Sequence, residues 1–409
     1  MKPSRMSFKI WVVALLVTGV VVLIGVLMLA PPLIEKRQNT IEAVTPPAVS
    51  ERARALHQRL SIADLHADSL LWARDLLSRS GYGHVDVPRL VASNVALQVY
   101  SAVTQVPSVR SYDRTESGSD LILRLALIER WPLSTWSSRT ERALYQAARL
   151  HDASDRSAGR LTVVATSTDL AAYLARRDRE RDITAGVLSI EGLHALDGKI
   201  DNVDRLFEAG YRIMGLTHFN DNEVAGSAHG IAKTGLSDFG RRVVSRLEAL
   251  SVVIDLAHAS PRAIEDTLDL ATRPVVVSHT GVVGTCPGPR NLTDGQIRGI
   301  AEGGGVIGIG FFEAAICDVE PQSFARAVRY VADLVGVEHV GLGSDFDGSV
   351  HTKFDVTGLP HMTASLLSAG FIDEEVEQIM GGNVLRLLGE LLPQSELTLP
   401  FNVPEKEKS

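Results

Sequence analysis

The chain has 409 residues, of which 45% are hydrophobic, so it can bury a sizeable core in one or two domains. Its 41 Lys and Arg residues against 49 Asp and Glu residues give a net charge of -8. The sequence includes no basic block that could follow a phosphate backbone, so we expect no nucleic-acid partner.

The first predicted element is an apolar helix. Ile10 to Ala30 include no charged side chain and would rise roughly 30 Å as a helix, which matches the hydrocarbon thickness of a bilayer. We expect residues 10–30 to be an uncleaved transmembrane anchor, with residues 1–9 in the cytoplasm because Lys2, Arg5 and Lys9 precede it. A cleaved signal peptide is the alternative, although its apolar core would be shorter. This interpretation predicts a single-pass membrane protein whose main domain is extracytoplasmic, periplasmic if the source is bacterial.

Three further regions follow. Residues 31–54 are largely polar and include Pro46-Pro47, which predicts a linker. Residues 55–392 read as one domain, since no repeat or second linker interrupts them. Residues 393–409 are charged and lack an apolar period, which predicts a peripheral tail.

Within the domain, short apolar runs alternate with amphipathic stretches, a pattern typical of α/β proteins with repeated βα units around a parallel sheet. Eight units predict a (β/α)8 TIM barrel, because closure leaves no strand edge; a doubly wound open sheet is the alternative. Residues 120–150 are helical in pattern and are interrupted at Pro132. The predicted strands are Ser61–Leu65, Val95–Val103, Gly186–Ile190, Arg212–Thr217, Val252–Leu256, Val275–Ser278, Val306–Gly310 and His339–Gly343.

Polar residues follow several of these strands at their carboxyl ends, where a barrel builds its active site. His66 and Asp68 have the i, i+2 spacing that lets both side chains approach one ion. Glu191, His258 and His279 each end an apolar run, where a polar side chain is costly unless a partner satisfies it. Three imidazoles and two carboxylates suit zinc, and a carboxylate such as Glu191 can join two cations. Any one of these residues alone could equally be structural.

Three more residues are candidates for handling a substrate. His218 can donate to an oxyanion, Arg290 can hold a carboxylate, and Asp345 can transfer a proton. Asp345 follows its strand before Asp347 and is the better candidate, since Asp347 next to Gly348 is explained by an ordinary turn.

In their order along the chain, these motifs resemble those of the membrane (renal) dipeptidase family of metallopeptidases. The similarity extends from about residue 55 to residue 392. The segments that carry it are His66-Ala67-Asp68, Glu191-Gly192, Leu216-Thr217-His218, Asp255-Leu256-Ala257-His258, Ser278-His279, Arg290-Asn291-Leu292 and Gly343-Ser344-Asp345-Phe346-Asp347-Gly348.

The resemblance implies a (β/α)8 barrel with two zinc ions per chain. In this interpretation His66 and Asp68 bind one ion, His258 and His279 bind the other, and Glu191 bridges them and is catalytic for that reason. The implied reaction is hydrolysis of a dipeptide by a hydroxide shared between the ions, with tolerance for a D residue at the C-terminal position. Family members commonly form homodimers, so a homodimer is possible here.

The resemblance also implies roles on the substrate side. His218 would contact the scissile carbonyl, Arg290 would hold the terminal carboxylate, and Asp345 would act as the acid and base. Two departures affect these expectations: the segment Phe311–Ala315 lacks a tyrosine expected to assist carboxylate binding, and the C-terminal tail has no hydrophobic end for a lipid anchor. Membrane attachment is therefore assigned to the N-terminal helix.

The chain has two cysteines, Cys286 and Cys317. An oxidising compartment permits them to pair, but their spacing is equally consistent with free thiols. The resemblance implies a Cys286–Cys317 disulfide.

Two other functions are alternatives on the same fold. A lactonase-like or phosphotriesterase-like amidohydrolase commonly bridges its metals with a carboxylated lysine, whereas the strand here ends at Glu191. An inactive membrane-tethered binding protein is expected to lack a ligand or Asp345, and none is missing.

Overall fold

A computed structural model describes residues 8–42, 48–116 and 118–395. The described residues form eleven β-strands. They are β1 (Thr40–Ile41), β2 (Ile62–Ala67), β3 (Val95–Val103), β4 (Leu161–Val163), β5 (Thr184–Glu191), β6 (Tyr211–Gly215), β7 (Val253–Asp255), β8 (Val276–Thr280), β9 (Val306–Ile309), β10 (Val340–Leu342) and β11 (His351–Thr352).

Eight strands close into a parallel barrel. The order β3-β2-β10-β9-β8-β7-β6-β5 is completed by a pairing of β3 with β5, in register from Leu97 opposite Ala185 to Val103 opposite Glu191. This closure confirms the predicted α/β (β/α)8 barrel over the open sheet, and each of the eight predicted strands is present within a few residues of its expected bounds. β4, which pairs with the first three residues of β5, was not among the predicted strands.

Aliphatic side chains fill the barrel. Residues from alternating positions, among them Ala63, Leu65, Val99, Val187 and Ile213, form one fully buried cluster. Because successive residues of a strand point to opposite faces, the intervening positions pack outward against the helices. These side chains fill the interior, and the predicted site residues lie at or beyond the carboxyl ends of the strands.

Fifteen α-helices lie among the described residues, and most of those after β2 pack around the barrel. The pattern expected for residues 120–150 is confirmed, because two helices flank the break at Pro132. The helices are α1 (Phe8–Gln38), α2 (Glu51–Arg59), α3 (Val87–Ala92), α4 (Leu121–Ile128), α5 (Arg139–Arg156), α6 (Ser167–Arg177), α7 (Asp201–Glu208), α8 (Asp238–Ala249), α9 (Pro261–Leu270), α10 (Asp294–Glu302), α11 (Glu313–Ile316), α12 (Pro321–Val335), α13 (Leu359–Ser368), α14 (Asp373–Glu377) and α15 (Asn383–Leu391).

The predicted N-terminal helix is present, but its ability to span a membrane is not confirmed. We expected a transmembrane anchor over residues 10–30, and α1 covers that segment, but within the part of the chain that the structure describes no helix meets the length and apolarity of a membrane span. The expected linker over residues 31–54 is wrong in part, because α1 continues through Pro31 and Pro32 to Gln38. Docking of this end onto the domain, where Ile34 packs beside a tryptophan-rich cluster, offsets the helix-breaking effect of proline.

Other predicted segments fall partly outside the described residues. Of the expected cytoplasmic segment, residues 1–7 lie outside, and so do residues 396–409 of the expected tail. The C-terminal end of the expected linker is also helical, because α2 begins at Glu51, with Ser50 as its N-cap.

Candidate active site

The carboxyl ends of the barrel strands bring the predicted polar residues together. His66 lies within β2, Glu191 is the last residue of β5, and His279 lies within β8. His258 and Asp345 each follow a strand, β7 and β10, by three residues, and both have left-handed backbone conformations, with φ of 62° and 61°. Non-glycine residues rarely adopt this conformation, and where they do it is often at functional sites.

Glu191 lies at the centre of the cluster. Its Oε1 is 2.8 Å from His258 Nε2, 3.2 Å from His279 Nε2 and 3.9 Å from His66 Nε2. Its other oxygen, Oε2, is 3.3 Å from His218 Nε2. One carboxylate therefore faces four imidazoles with its two oxygens, which is an arrangement suited to joining two cations.

The donor atoms of this cluster fit a metal site. His66 Nε2 lies 3.3 Å from Asp68 Oδ1, yet both atoms are buried and neither makes a hydrogen bond. Buried polar atoms without partners are uncommon and costly, and a cation would satisfy both. Imidazole nitrogens with carboxylate oxygens are ligands that suit zinc.

The close spacing extends over the whole cluster. Three overlapping sets of side chains each place their donor atoms within 4.8 Å of one another. These sets are His66 with Glu191 and His279, Glu191 with His218 and His258, and His66 with Asp68 and Asp345. The sets include all five predicted metal ligands, and they also include His218 and Asp345, two of the three predicted substrate-side residues.

Burial controls the charge of these groups. It raises the pKa of Glu191 well above its ordinary value, and the neighbouring Asp68 carboxylate adds to the effect. Burial likewise raises the pKa of Asp68 and lowers the pKa values of His258 and His279. A desolvated acid in this position favours its neutral form, and a bound cation would reverse that preference.

Two orienting residues were missed by the sequence analysis. His229 Nε2 lies 3.0 Å from Nδ1 of His258, and His229 Nδ1 lies 2.9 Å from the backbone oxygen of Tyr112. The hydroxyl of Ser278 lies 2.9 Å from His279 Nδ1. Such contacts set the tautomer and the ring orientation of a ligating imidazole. His229 lies in the long loop after β6, far from a strand end, so the strand-end rule did not predict a role for it in the site.

A cavity of about 260 Å³ opens beside the cluster. Arg290 lines it, and its guanidinium is buried, donates to the backbone oxygen of His279 and leaves Nε without a hydrogen-bond partner. Asp345 also lines it, with Oδ1 4.0 Å from His66 Nε2, and burial raises the pKa of Asp345 to about 7. Tyr112 and Phe219 complete the wall from loops that the sequence analysis did not associate with the site.

Asp347 is not the ordinary turn residue that the sequence suggested. It is fully buried and accepts hydrogen bonds from the Ser69 hydroxyl at 2.5 Å and from the His84 amide at 2.6 Å. It also forms an ion pair with Arg74. Asp347 is therefore a structural centre of the loop that carries Asp345.

Cys286 and Cys317 form a disulfide, with their Cα atoms 5.4 Å apart. It joins the loop before Arg290 to the C-terminal end of α11. Phe312, the residue before α11, also lines the cavity. The guanidinium of Arg290 lies 5.9 Å from the centre of the Phe312 ring. The disulfide thus links two segments of the cavity wall.

The chain is similar to several known proteins. Residues 50–396 match the family model described as membrane dipeptidase, peptidase family M19, so the chain belongs to that family of metallopeptidases and is a hydrolase. It is 33% identical over 264 residues to an uncharacterized protein from the pqqA 5' region of Klebsiella pneumoniae, covering 61% of this chain and 96% of that protein. It is also 34% identical over 221 residues to the dipeptidase aclJ of Aspergillus oryzae, a match that spans about half of either chain, 51% of each.

Solved structures share the fold. A metallopeptidase from Rhodobacter sphaeroides, liganded with a phosphinate mimic of the dipeptide L-Ala-D-Ala, superposes with a TM-score of 0.67 at 25% identity, covering 81% of this chain and 99% of that one. The probable dipeptidase PvdM from Pseudomonas aeruginosa superposes with a TM-score of 0.70 at 19% identity, covering 84% and 98%.

Proposed function

We propose that this protein is a zinc-dependent dipeptidase that hydrolyses the amide bond of small dipeptides and accepts a D residue at the C-terminal position. The observation that carries the proposal is the position of the Glu191 carboxylate, within 4 Å of His66, His258 and His279. Membership of the M19 family supports the reaction class. The L-Ala-D-Ala mimic bound by the Rhodobacter sphaeroides relative supports the stereochemistry.

The five proposed ligands would hold two zinc ions. His66 and Asp68 would bind one, His258 and His279 the other, and Glu191 would bridge them. A bound zinc pair lowers the pKa of water and polarises a carbonyl, so that hydrolysis can proceed near neutral pH. The unpartnered His66 Nε2 and Asp68 Oδ1 support this assignment.

The remaining polar residues of the cavity would bind and orient the substrate. Arg290 would pair with the terminal carboxylate, because its buried guanidinium has a free Nε and lies in a low-dielectric cavity where a charge pair is strong. A longer peptide has no carboxylate at that distance, and this would limit the substrate to dipeptides. His218 would donate from Nε2 to the carbonyl oxygen as negative charge develops there.

Asp345 would transfer the proton. Its Oδ1 lies 4.0 Å from His66 Nε2, beside the proposed metal ligands, where it can accept a proton from the attacking water and return it to the leaving amine. Its carboxylate lines the same cavity as Arg290, so both residues can act on one bound substrate.

A dipeptide panel tests the proposal. The purified full-length chain is assayed with L,L and L,D dipeptides and with tripeptides of the same residues, before and after chelation and after zinc is added back. We expect hydrolysis of dipeptides, including L,D forms, loss on chelation and recovery with zinc. Two results would overturn the proposal. One is unchanged hydrolysis by a protein from which the chelator has removed all metal, and the other is hydrolysis of tripeptides at the same rate as dipeptides.

We further propose that residues 10–30 anchor the protein in a membrane with the catalytic domain outside the cytoplasm. The Cys286–Cys317 disulfide supports this location, since disulfides persist in oxidising compartments. Resistance of the protein to alkaline extraction from membranes tests the anchor, and its release by that treatment would contradict it. Homodimer formation stays a prediction, which sedimentation of the detergent-solubilised protein can check.

A further inference from the structure

The segment that precedes the family-matched region is built into the active-site end of the barrel. We define the N-terminal strap as residues 34–42 and the Asp345 loop as residues 345–352. β1 of the strap pairs in parallel with β11 of the loop, with Thr40 opposite His351. Asn39 Oδ1 accepts from the Ser349 amide at 2.8 Å, so the contact continues beyond the short strand pair.

A buried chain of charges lies beneath this contact. Glu35, at 2% exposure, accepts a hydrogen bond from Nε of Arg74, and Nη2 of the same guanidinium donates to Asp347. All three side chains are buried, and Arg74 also donates to the backbone oxygen of Val85. Because a guanidinium is a rigid planar fork, an acceptor on Nε fixes the direction in which its other nitrogens point.

Asp347 connects Arg74 to the backbone of the Asp345 loop through hydrogen bonds. Its amide donates to His84 Nδ1 at 2.9 Å, while its carboxylate accepts from the amides of His84 and Val85. Asp345, Asp347 and Ser349 have φ values of 61°, 64° and 61°, a left-handed conformation that non-glycine residues avoid. Three such residues in five positions persist only where the surroundings hold them.

We propose that Glu35 is a positioning residue of the active site, which holds Arg74 against Asp347 and thereby fixes the loop that presents Asp345 to the substrate. This inference rests on the proposed function, because it takes Asp345 as the proton-transfer group. It also implies that the catalytic unit begins before the family-matched region, at the strap.

An acceptor at position 35 matters more than its charge. Burial raises the pKa of Glu35 to about 7, so the side chain need not be ionised to accept from Arg74. Gln offers the same oxygen in nearly the same place, whereas Ala removes it. Glu42 of the strap provides a matched control, since its side chain is 34% exposed and its carboxylate lies 3.5 Å from Nε2 of the half-exposed His351, where an ion pair contributes little.

The test compares Glu35→Ala, Glu35→Gln and Glu42→Ala in the full-length chain. For Glu35→Ala we expect kcat to fall by about 10-fold to 100-fold, with KM and metal content near those of the wild type, because Asp345 is displaced while the ligands are not. Glu35→Gln should stay within about threefold and Glu42→Ala within about twofold of the wild-type kcat. In the same proteins, hydrogen exchange of residues 345–352 should accelerate in Glu35→Ala and in neither of the others.

Wild-type kcat and wild-type exchange in Glu35→Ala would overturn the proposal. If Glu35→Ala does not fold, Glu35→Asp takes its place, since the shorter side chain draws the carboxylate away from Arg74; a wild-type kcat in that variant would equally overturn the proposal. Exchange of residues 345–352 can be measured without any turnover. A wild-type protein that is inactive on dipeptides would therefore refute the proposed function while the role of Glu35 in holding the loop is still tested.

Discussion

Oε1 of Glu191 lies 2.8 Å from Nε2 of His258, although 67 positions separate these residues along the chain. β5 ends at Glu191 and β7 ends three residues before His258, and β6 lies between them in the sheet. Convergence of strand ends thus explains how distant residues meet. It also explains why the carboxylate that would bridge two ions comes from a strand rather than from a mobile loop.

Glu191→Gln should remove both the metal and the activity. The amide keeps the size of the carboxylate but loses its charge, so it is a poor bridge between two cations. Loss of residues that merely orient ligands costs about 10-fold to 100-fold, so we expect activity to fall by at least about 100-fold. Metal content and dipeptide hydrolysis are measured together, with Glu208→Gln, an exposed position, as the control. Retention of both quantities in Glu191→Gln would show that Glu191 does not bridge metal ions.

Gly348→Ala should impair catalysis without removing metal. A Cβ at this position would lie far inside contact distance of Asp345 Oδ1, so the carboxylate would have to move. We expect kcat to fall roughly 10-fold or more. Gly389→Ala is the matched control, because its Cβ would meet no atom within 4 Å in α15, where alanine favours the helix. Equal activity of the two variants would contradict the role given to Asp345.

His57 should make the fold less stable in mild acid. Its side chain lies between Thr363 and the Ser93 carbonyl, and burial lowers its pKa from 6.5 to about 4. Between those pH values the unfolded chain binds a proton that the folded chain does not, so stability is lost as pH falls below 6.5. The contribution reaches about 2 kcal/mol at pH 5.

Urea unfolding of the wild type and His57→Gln at pH 7 and pH 5 measures this effect. The wild type should lose about 2 kcal/mol more than the variant between the two pH values, because glutamine does not titrate. His151→Gln, which removes an exposed imidazole, should follow the wild type. An equal loss in wild type and His57→Gln would refute the assignment.

The disulfide should stabilise both the fold and the cavity wall. The bond closes a loop with a sequence separation of 31 residues, for which chain entropy predicts a contribution of about 3–4 kcal/mol. The double variant Cys286→Ala/Cys317→Ala should unfold at lower urea concentration and bind dipeptides with a raised KM, since Arg290 lies four residues after Cys286. Unchanged unfolding and unchanged KM would mean that the bond contributes neither effect.

The barrel and the cluster at its rim could be predicted because their signals are local. Apolar runs marked the eight strands, and the polar residues that end them, such as Glu191 and His279, stood next to those runs. The strand-end rule then placed residues from remote segments at one rim. β4 was missed because three residues, Leu161–Val163, are too short to show a period.

The supporting contacts could not be predicted because they join segments with no shared local pattern. Asp347 appeared to be a turn residue, since its partner Arg74 lies 273 positions away. A linker was expected after residue 30, whereas α1 continues to Gln38 because Ile34 and Glu35 dock onto the domain. His229 orients His258 from a loop whose path the sequence does not specify.

The most direct test of the account is the metal content of the purified full-length chain, measured together with hydrolysis of an L,D dipeptide during stepwise chelation. The account predicts two zinc ions per chain, with hydrolysis falling as they are removed and returning when zinc is restored. A metal-free protein that hydrolyses the dipeptide at full rate, or a zinc-loaded protein that does not hydrolyse dipeptides at all, would contradict it.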